Sequence, residues 1–289
     1  HAQLTNIQSI YFQNQYLANP AMAGMEPQLN LNMDYHQQWI GVPGSPTLTT
    51  FTADYNSGNK VGLGLNVYGN NAGLISRTRI MGTYASHVPL GSESQHLSFG
   101  ISLGIQHSQI NSSDISGADR DDPSLAKFNA RGSRFDVDFG TAYTDDKLTL
   151  EAAFPGIATY FRHSDDDIVD RTETFIAAAY LFRFNPGKNA IGLEPRIAYR
   201  TVKGFDNVGD AGADISFMDG LFDVFGLYHT SKNASLGAGV HVLQKLNVLA
   251  VYTTAVPSLG TYASGDFEVS VGLELGRTTS GREKANHKP

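Results

Sequence analysis

Read in steps of two, the chain resolves into about fourteen runs of roughly ten residues in which apolar side chains alternate with polar or very small ones. Successive side chains of a strand point to opposite faces, so each run reads as a strand with one apolar and one polar face. Residues 97–106 set Leu97, Phe99, Ile101, Leu103 and Ile105 against Ser98, Gly100, Ser102, Gly104 and Gln106. Residues 61–68, 135–143 and 267–275 repeat the pattern, and a helical period fits none of them. Weaker members lie near 28–38, 47–55, 77–88, 147–154, 172–184, 190–200, 211–218, 221–229, 234–243 and 245–254.

The connectors sort by parity. Tight turns fall at Asn56–Asn59, Pro89–Ser92, Asp145-Asp146, Asn185–Lys188, Asp219-Gly220 and Gln244-Lys245, several with the Gly, Asn, Asp or Pro that turn dihedrals favour. Between them come links near 39–46, 69–75, 108–132, 155–170, 201–210, 230–233 and 255–266. Dyad alternation with short turns at one rim and longer loops at the other is the pattern of a membrane barrel. A soluble β-sandwich competes, but its strands run to about five or six residues, whereas about ten suit a tilted membrane crossing. The fold expected is all-β: a closed antiparallel transmembrane β-barrel of about fourteen strands over residues 26–276. An N-terminal periplasmic or luminal segment, 1–25, precedes it and a polar tail, 277–289, follows. Long links are expected outside the cell, and tight turns and both termini in the periplasm of an outer-membrane protein.

Composition agrees. Charged residues make up 17% of the chain, below the roughly 25% of soluble proteins. A mean hydropathy of −0.22 suits strands with one face to lipid and one to a polar lumen. No apolar run is long enough for a transmembrane helix. Without cysteine there is no disulfide framework or thiolate metal site, and a net charge of −7 argues against a nucleic-acid partner. The start His1-Ala2-Gln3 has no initiator Met, and Ala2 fits the last position of a cleaved small-residue signal site; a tag remnant is the alternative.

Charges such as Arg77, Arg79, Asp136, Asp138, Glu194 and Arg196 fall mostly opposite the apolar series. Facing lipid at mid-bilayer, each would cost about 2–4 kcal/mol. Pointing inward with both signs present, they suit an ion-paired, filled lumen. Trp39 and tyrosines near strand ends (Tyr11, Tyr35, Tyr84, Tyr143, Tyr199, Tyr228 and Tyr252) are candidates for interface girdles; Tyr68 shares parity with the polar face.

Residues 1–25 do not alternate. They contain Tyr16, Asn19, Pro20, Ala21, Ala23 and Gly24, followed by Tyr35, His36, Gln38, Trp39, Gly41, Pro46 and Thr47. These two blocks resemble the PorP/SprF family of Bacteroidetes outer-membrane proteins, which opens with Tyr-x-x-Asn-Pro-Ala-x-Ala-Gly. The family continues with an aromatic–basic–x–Gln–Trp–x–Gly stretch and a Pro-Thr pair. It usually carries Arg where His36 stands. The resemblance implies work with the type IX secretion system: binding, and helping to secrete or anchor, a surface protein with a type IX C-terminal domain, gliding adhesins among them. Periplasmic or outer-membrane lipoproteins and membrane lipids are further partners to be expected. For Tyr16, Asn19, Pro20, Ala21, Gly24, Gln38, Trp39, Gly41 and Pro46, a structural part in plugging the barrel is preferred over direct partner contact. The alternative function is a channel or transporter for small or hydrophobic solutes.

Other constellations favour plain readings. Asp119, Asp121 and Asp122 offer hard oxygen ligands and are a weak metal candidate, but Arg120 sits among them and the spacing is not that of an EF-hand; a solvated acidic loop is preferred. The histidines lack ligand spacing, and the adjacent His107-Ser108 has no evident acid partner. No cofactor and no enzyme chemistry are expected. Gly62-x-Gly64 and Gly237-x-Gly239 sit inside strands, where glycine admits close packing or a bend.

Overall fold

The structure, a computed structural model, describes residues 9–26, 29–58, 60–91, 94–110, 129, 132–160, 172–185, 189–204, 206–242, 245–256 and 264–276. Its strands are β1 Leu29–Gln37, β2 Thr47–Asn56, β3 Val61–Ala72, β4 Ile75–Pro89, β5 His96–Ile110, β6 Ser133–Thr144, β7 Leu148–Phe154, β8 Thr172–Tyr180, β9 Phe182–Phe184, β10 Ile191–Val202, β11 Val208–Phe217, β12 Phe222–His229, β13 Asn233–Val242, β14 Leu246–Thr253 and β15 Asp266–Leu275. Every pairing is antiparallel, and β1 pairs with β15 while β10 pairs with β11, so the sheet closes on itself. β8 and β9 both pair with β10 and flank Leu181, so they act as one stave of a fourteen-stranded barrel.

Parity decides what each face meets. Met33, Leu63, Ile80, Leu103, Ile197 and Leu236 project outward and are exposed, a surface stable only against lipid. The opposite parity puts Asp34, Thr52, Arg79, Thr83, Glu151 and Arg196 into a buried lumen.

Six tight connections form one rim, here the tight-turn rim; the other is the long-link rim. The 69–75 link expected from the sequence contracts to residues 73–74, because β3 and β4 pair through to Ala72↔Ile75. The outward positions there are Gly69, Asn71, Ser76 and Thr78. They leave the apolar belt while the backbone ladder runs on, so β3–β5 stand proud of the membrane.

Residues 9–25 fill the lumen. Three short 3-10 turns, Ser9–Phe12, Gln15–Leu17 and Pro20–Met22, pack inside the ring, with Ile10, Tyr11, Phe12, Tyr16, Asn19 and Ala21 all buried. The segment crosses from rim to rim. Gly24 bonds to Asp54 near the tight-turn end of β2, whereas Ser9 meets Ser235 near the long-link end of β13. The first described residue, Ser9, lies beside the long-link rim, and the last strand ends at the tight-turn rim.

Candidate functional site: the plugged lumen

The second half of the plug, Tyr16 to Gly24, is keyed to the wall through β2–β7. The Tyr16 hydroxyl shares a 2.7 Å hydrogen bond with Thr83, itself 2.6 Å from Ser102. Asn19 accepts from the Ala21 amide at 3.0 Å, capping the turn that Pro20 begins, and donates to the Thr141 carbonyl and to Glu151. His87 Nε2 donates to the Ala23 carbonyl at 3.0 Å, and its Nδ1 is 2.8 Å from Ser98. Gly24, at φ +68, donates to Asp54 at 2.9 Å, and its carbonyl accepts from Asn56 at 2.7 Å. Alanines 21 and 23 are fully buried, and the wall opposite is glycine. A Cβ on Gly62 would overlap the Ala23 carbonyl, one on Gly64 the Tyr16 phenol, one on Gly100 the Pro20–Ala21 backbone, and one on Gly140 the Asn19 amide. The wall glycines give up side chains so that the plug backbone lies flush against the strands.

The first half, Ser9 to Asn14, docks differently. Tyr11 meets Phe175 edge-on, with centroids 5.4 Å apart, and Phe12 stacks on Phe225 at 5.4 Å. Leu227, Leu249 and Val251 complete an apolar cluster inside the polar lumen. The Tyr11 hydroxyl donates to Asp210 at 3.2 Å, Asn14 to Thr52 at 2.9 Å, and Gln13 to Asp214 at 2.8 Å. The first-half assignment of Tyr11 to an interface girdle is thus corrected: it is 1% exposed, inside the lumen.

The second sequence block meets the plug through β15. Glu268 accepts from the backbone of Ser9 and Ile10 and lies 3.8 Å from His36. Asp266, also 3.8 Å from His36, accepts from the Trp39 amide at 3.0 Å. Gln38 donates to the Pro46 carbonyl at 2.9 Å, and Ile40 to that of Gly265 at 2.9 Å. Trp39 is held at φ +49, an unusual backbone state for a bulky residue, and Gly41 at φ +89 follows it into the link.

The luminal charges form separate clusters. Arg79 reaches Asp136 at 2.8 Å and Asp138 at 2.5 Å, with its guanidinium 6.0 Å from the Tyr68 ring centroid. Arg196 lies 2.8 Å from Glu194, 3.7 Å from Glu151 and 4.8 Å from the Phe12 ring centroid. Arg77, half-buried on β4, joins no ion pair among the described residues. A third cluster, not foreseen as a unit, joins Arg200, Asp210 and His229. Parity marks these side chains as luminal, but no sequence signal says which ones meet across the ring.

That third cluster has the distances of a Ser–His–Asp relay: Asp210 is 2.6 Å from His229 Nδ1, and Ser235 is 2.8 Å from Nε2. Ser235 is fully buried, with Ser9 and Thr253 at 2.7 and 2.6 Å. A plug residue occupies the approach an acyl carbon needs, so the relay is a latch on Ser9. His107 and Ser108 point to opposite faces, and His107 Nδ1 is 3.4 Å from Ser133 instead. No group of three or more carboxylate or imidazole side chains suited to a metal ion occurs among the described residues. Asp119, Asp121 and Asp122 lie outside them.

The family model described as "Type IX secretion system membrane protein PorP/SprF" matches residues 1–273. The chain belongs to the PorP/SprF family. No curated protein sequence matches it. Among solved structures it is similar to the Acinetobacter baumannii outer membrane protein Omp33, with a TM-score of 0.51 at 10% identity over 87% of this chain and 100% of that one. A variant of the Rhodopseudomonas blastica porin matches with a TM-score of 0.36 at 11% identity over 86% and 99%. The Omp33 likeness shows the fold alone, that of an outer-membrane barrel. The PorP/SprF family is a secretion-associated membrane barrel, not a known class of enzyme.

Proposed function

We propose that this PorP/SprF protein lies in the outer membrane with its long links outward, and there binds and helps secrete or anchor an adhesin-like surface protein bearing a type IX C-terminal domain. The observation that carries this reading is the plug. The lumen is crossed by the chain's own residues from Gly24 to Ser9, which favours a ligand met at a rim over a solute passing through. Loops on a rigid scaffold carry recognition, so the proposed contact surface is the links near 108–132 and 155–170. The tight-turn rim is the proposed meeting place for periplasmic or outer-membrane lipoproteins, and the tail 277–289 the proposed segment beside them. In this division residues 1–25 are the plug segment and 26–276 the barrel.

The test is purification from the native membrane in mild detergent, with co-purifying proteins identified by mass spectrometry. Recovery of a secreted protein with a type IX C-terminal domain supports the reading. Recovery of the barrel alone, with steady conductance in planar bilayers, replaces it with a solute channel.

A further inference from the structure

We propose that the inner face of the raised β3–β5 wall, at Asn70, Arg77, Gln106 and Ser108, binds carboxylate groups on an acidic segment of the secreted surface protein. Asn70, Arg77 and Ser108 stand side by side in register on β3, β4 and β5, and Gln106 faces Arg79 one pleat below. All four share the luminal parity of Tyr68, Arg79 and Ser102. Their strands are the ones that rise above the membrane, where the outward positions Asn71, Ser76 and Thr78 are polar. Arg77 is half-buried and Asn70 is 6% exposed. None of the four side chains makes a hydrogen bond or an ion pair among the described residues.

Deeper in the lumen the arrangement is the opposite. Arg79, Arg196 and Arg200 each pair with luminal carboxylates. Arg183, which like Arg77 has no pair among the described residues, is exposed at the tight-turn rim and solvated there. A half-buried guanidinium has lost part of its water, and an acceptor or counter-charge has to replace it. The guanidinium only donates, and the two amides and the hydroxyl beside it can each donate as well. Such a row suits a planar group that only accepts, a carboxylate. The plug does not supply one: Tyr16 meets β4 at Thr83, well below Arg77, and Ser9 is held across the ring by Ser235. Lipid is on the wrong side, because the row faces the mouth and not the outer surface. Ser108 opens the 108–132 link, so the row is continuous with the contact surface proposed for the secreted protein. The choice of occupant rests on that reading.

The test places the full barrel in lipid nanodiscs and titrates it with a fluorescein-labelled aspartate octapeptide, with a serine octapeptide as control. Fluorescence anisotropy is expected to show binding of the aspartate peptide alone. Arg77→Gln should weaken it at least about tenfold, the loss of one charge-assisted contact. Lys232→Gln, which removes an exposed cation at the same rim, should leave it unchanged. Because Arg77 joins no pair, Arg77→Gln should also leave thermal unfolding where it was, so that lost binding is not lost folding. If that variant does not fold, Asn70→Ala with Ser108→Ala takes its place, with a smaller loss expected. Equal binding by the wild type and the row variant overturns the proposal, as does an equal loss in Lys232→Gln, which marks diffuse attraction. Inorganic phosphate that displaces the peptide at equal concentration overturns it in favour of a small-anion site. In the native membrane, Arg77→Gln should lower recovery of the secreted protein with the barrel. Undiminished recovery overturns this inference alone, whereas a wild-type barrel that recovers no secreted protein overturns the proposed function and, with it, the occupant named here.

Discussion

The two halves of the plug are held by different physics. From Tyr16 to Gly24, plug backbone lies against wall glycines, and hydrogen bonds to wall side chains, the Asp54 carboxylate and the His87 ring among them, fix the path almost atom by atom. From Ser9 to Asn14, aromatic rings pack beside buried ion pairs. The first kind of contact demands particular residues at particular spacings; the second tolerates exchange of one apolar side chain for another. A recurring motif belongs to the half whose geometry leaves no substitutes, which is where Tyr16, Asn19, Pro20, Ala21 and Gly24 lie.

Arg196 joins the halves, sitting over Phe12 while pairing with Glu151, the acceptor for Asn19. Arg196→Met is expected to lower stability most, by about 3–5 kcal/mol, because it strands buried carboxylates. Thermal unfolding of the purified barrel measures the loss, and thiols placed at Ser9 and at Met25 should both gain reactivity. Phe12→Ala, costing about 3–4 kcal/mol through a cavity, should free the Ser9 thiol and leave Met25 protected. Gly62→Val, costing about 1–3 kcal/mol by overpacking, should do the reverse, and freeing of both thiols by either variant would abolish the distinction between halves. Asn19→Ala removes the cap and two wall contacts for about 1–2 kcal/mol; its loss is expected at Met25 alone.

Much of the barrel was legible because lipid imposes one simple rule on every outward residue. Alternation located each stave, and it failed only where that rule lapses, at Gly69, Asn71, Ser76 and Thr78 above the membrane. The plug was legible as an interruption of the pattern, and its motif through a family resemblance. Its seats were not. Parity assigns a side chain to the lumen without naming what faces it, and Ser9 meets Ser235 across 226 residues of chain. Asp54, Asp210 and Asp266 looked like ordinary polar members of their strands, and Tyr11 like one more interfacial tyrosine. Each is explained only once the ring is closed around the plug.

The pairing of β1 with β15 has a consequence for assembly. The strand that completes the ring also carries Asp266 and Glu268, which hold Trp39 and the first turn of the plug. An unfinished barrel lacking its last strand therefore has an N-terminal segment with no hold at its far end. Completion of the wall and locking of what it contains become a single late event, and a chain cut short before residue 266 forfeits both together.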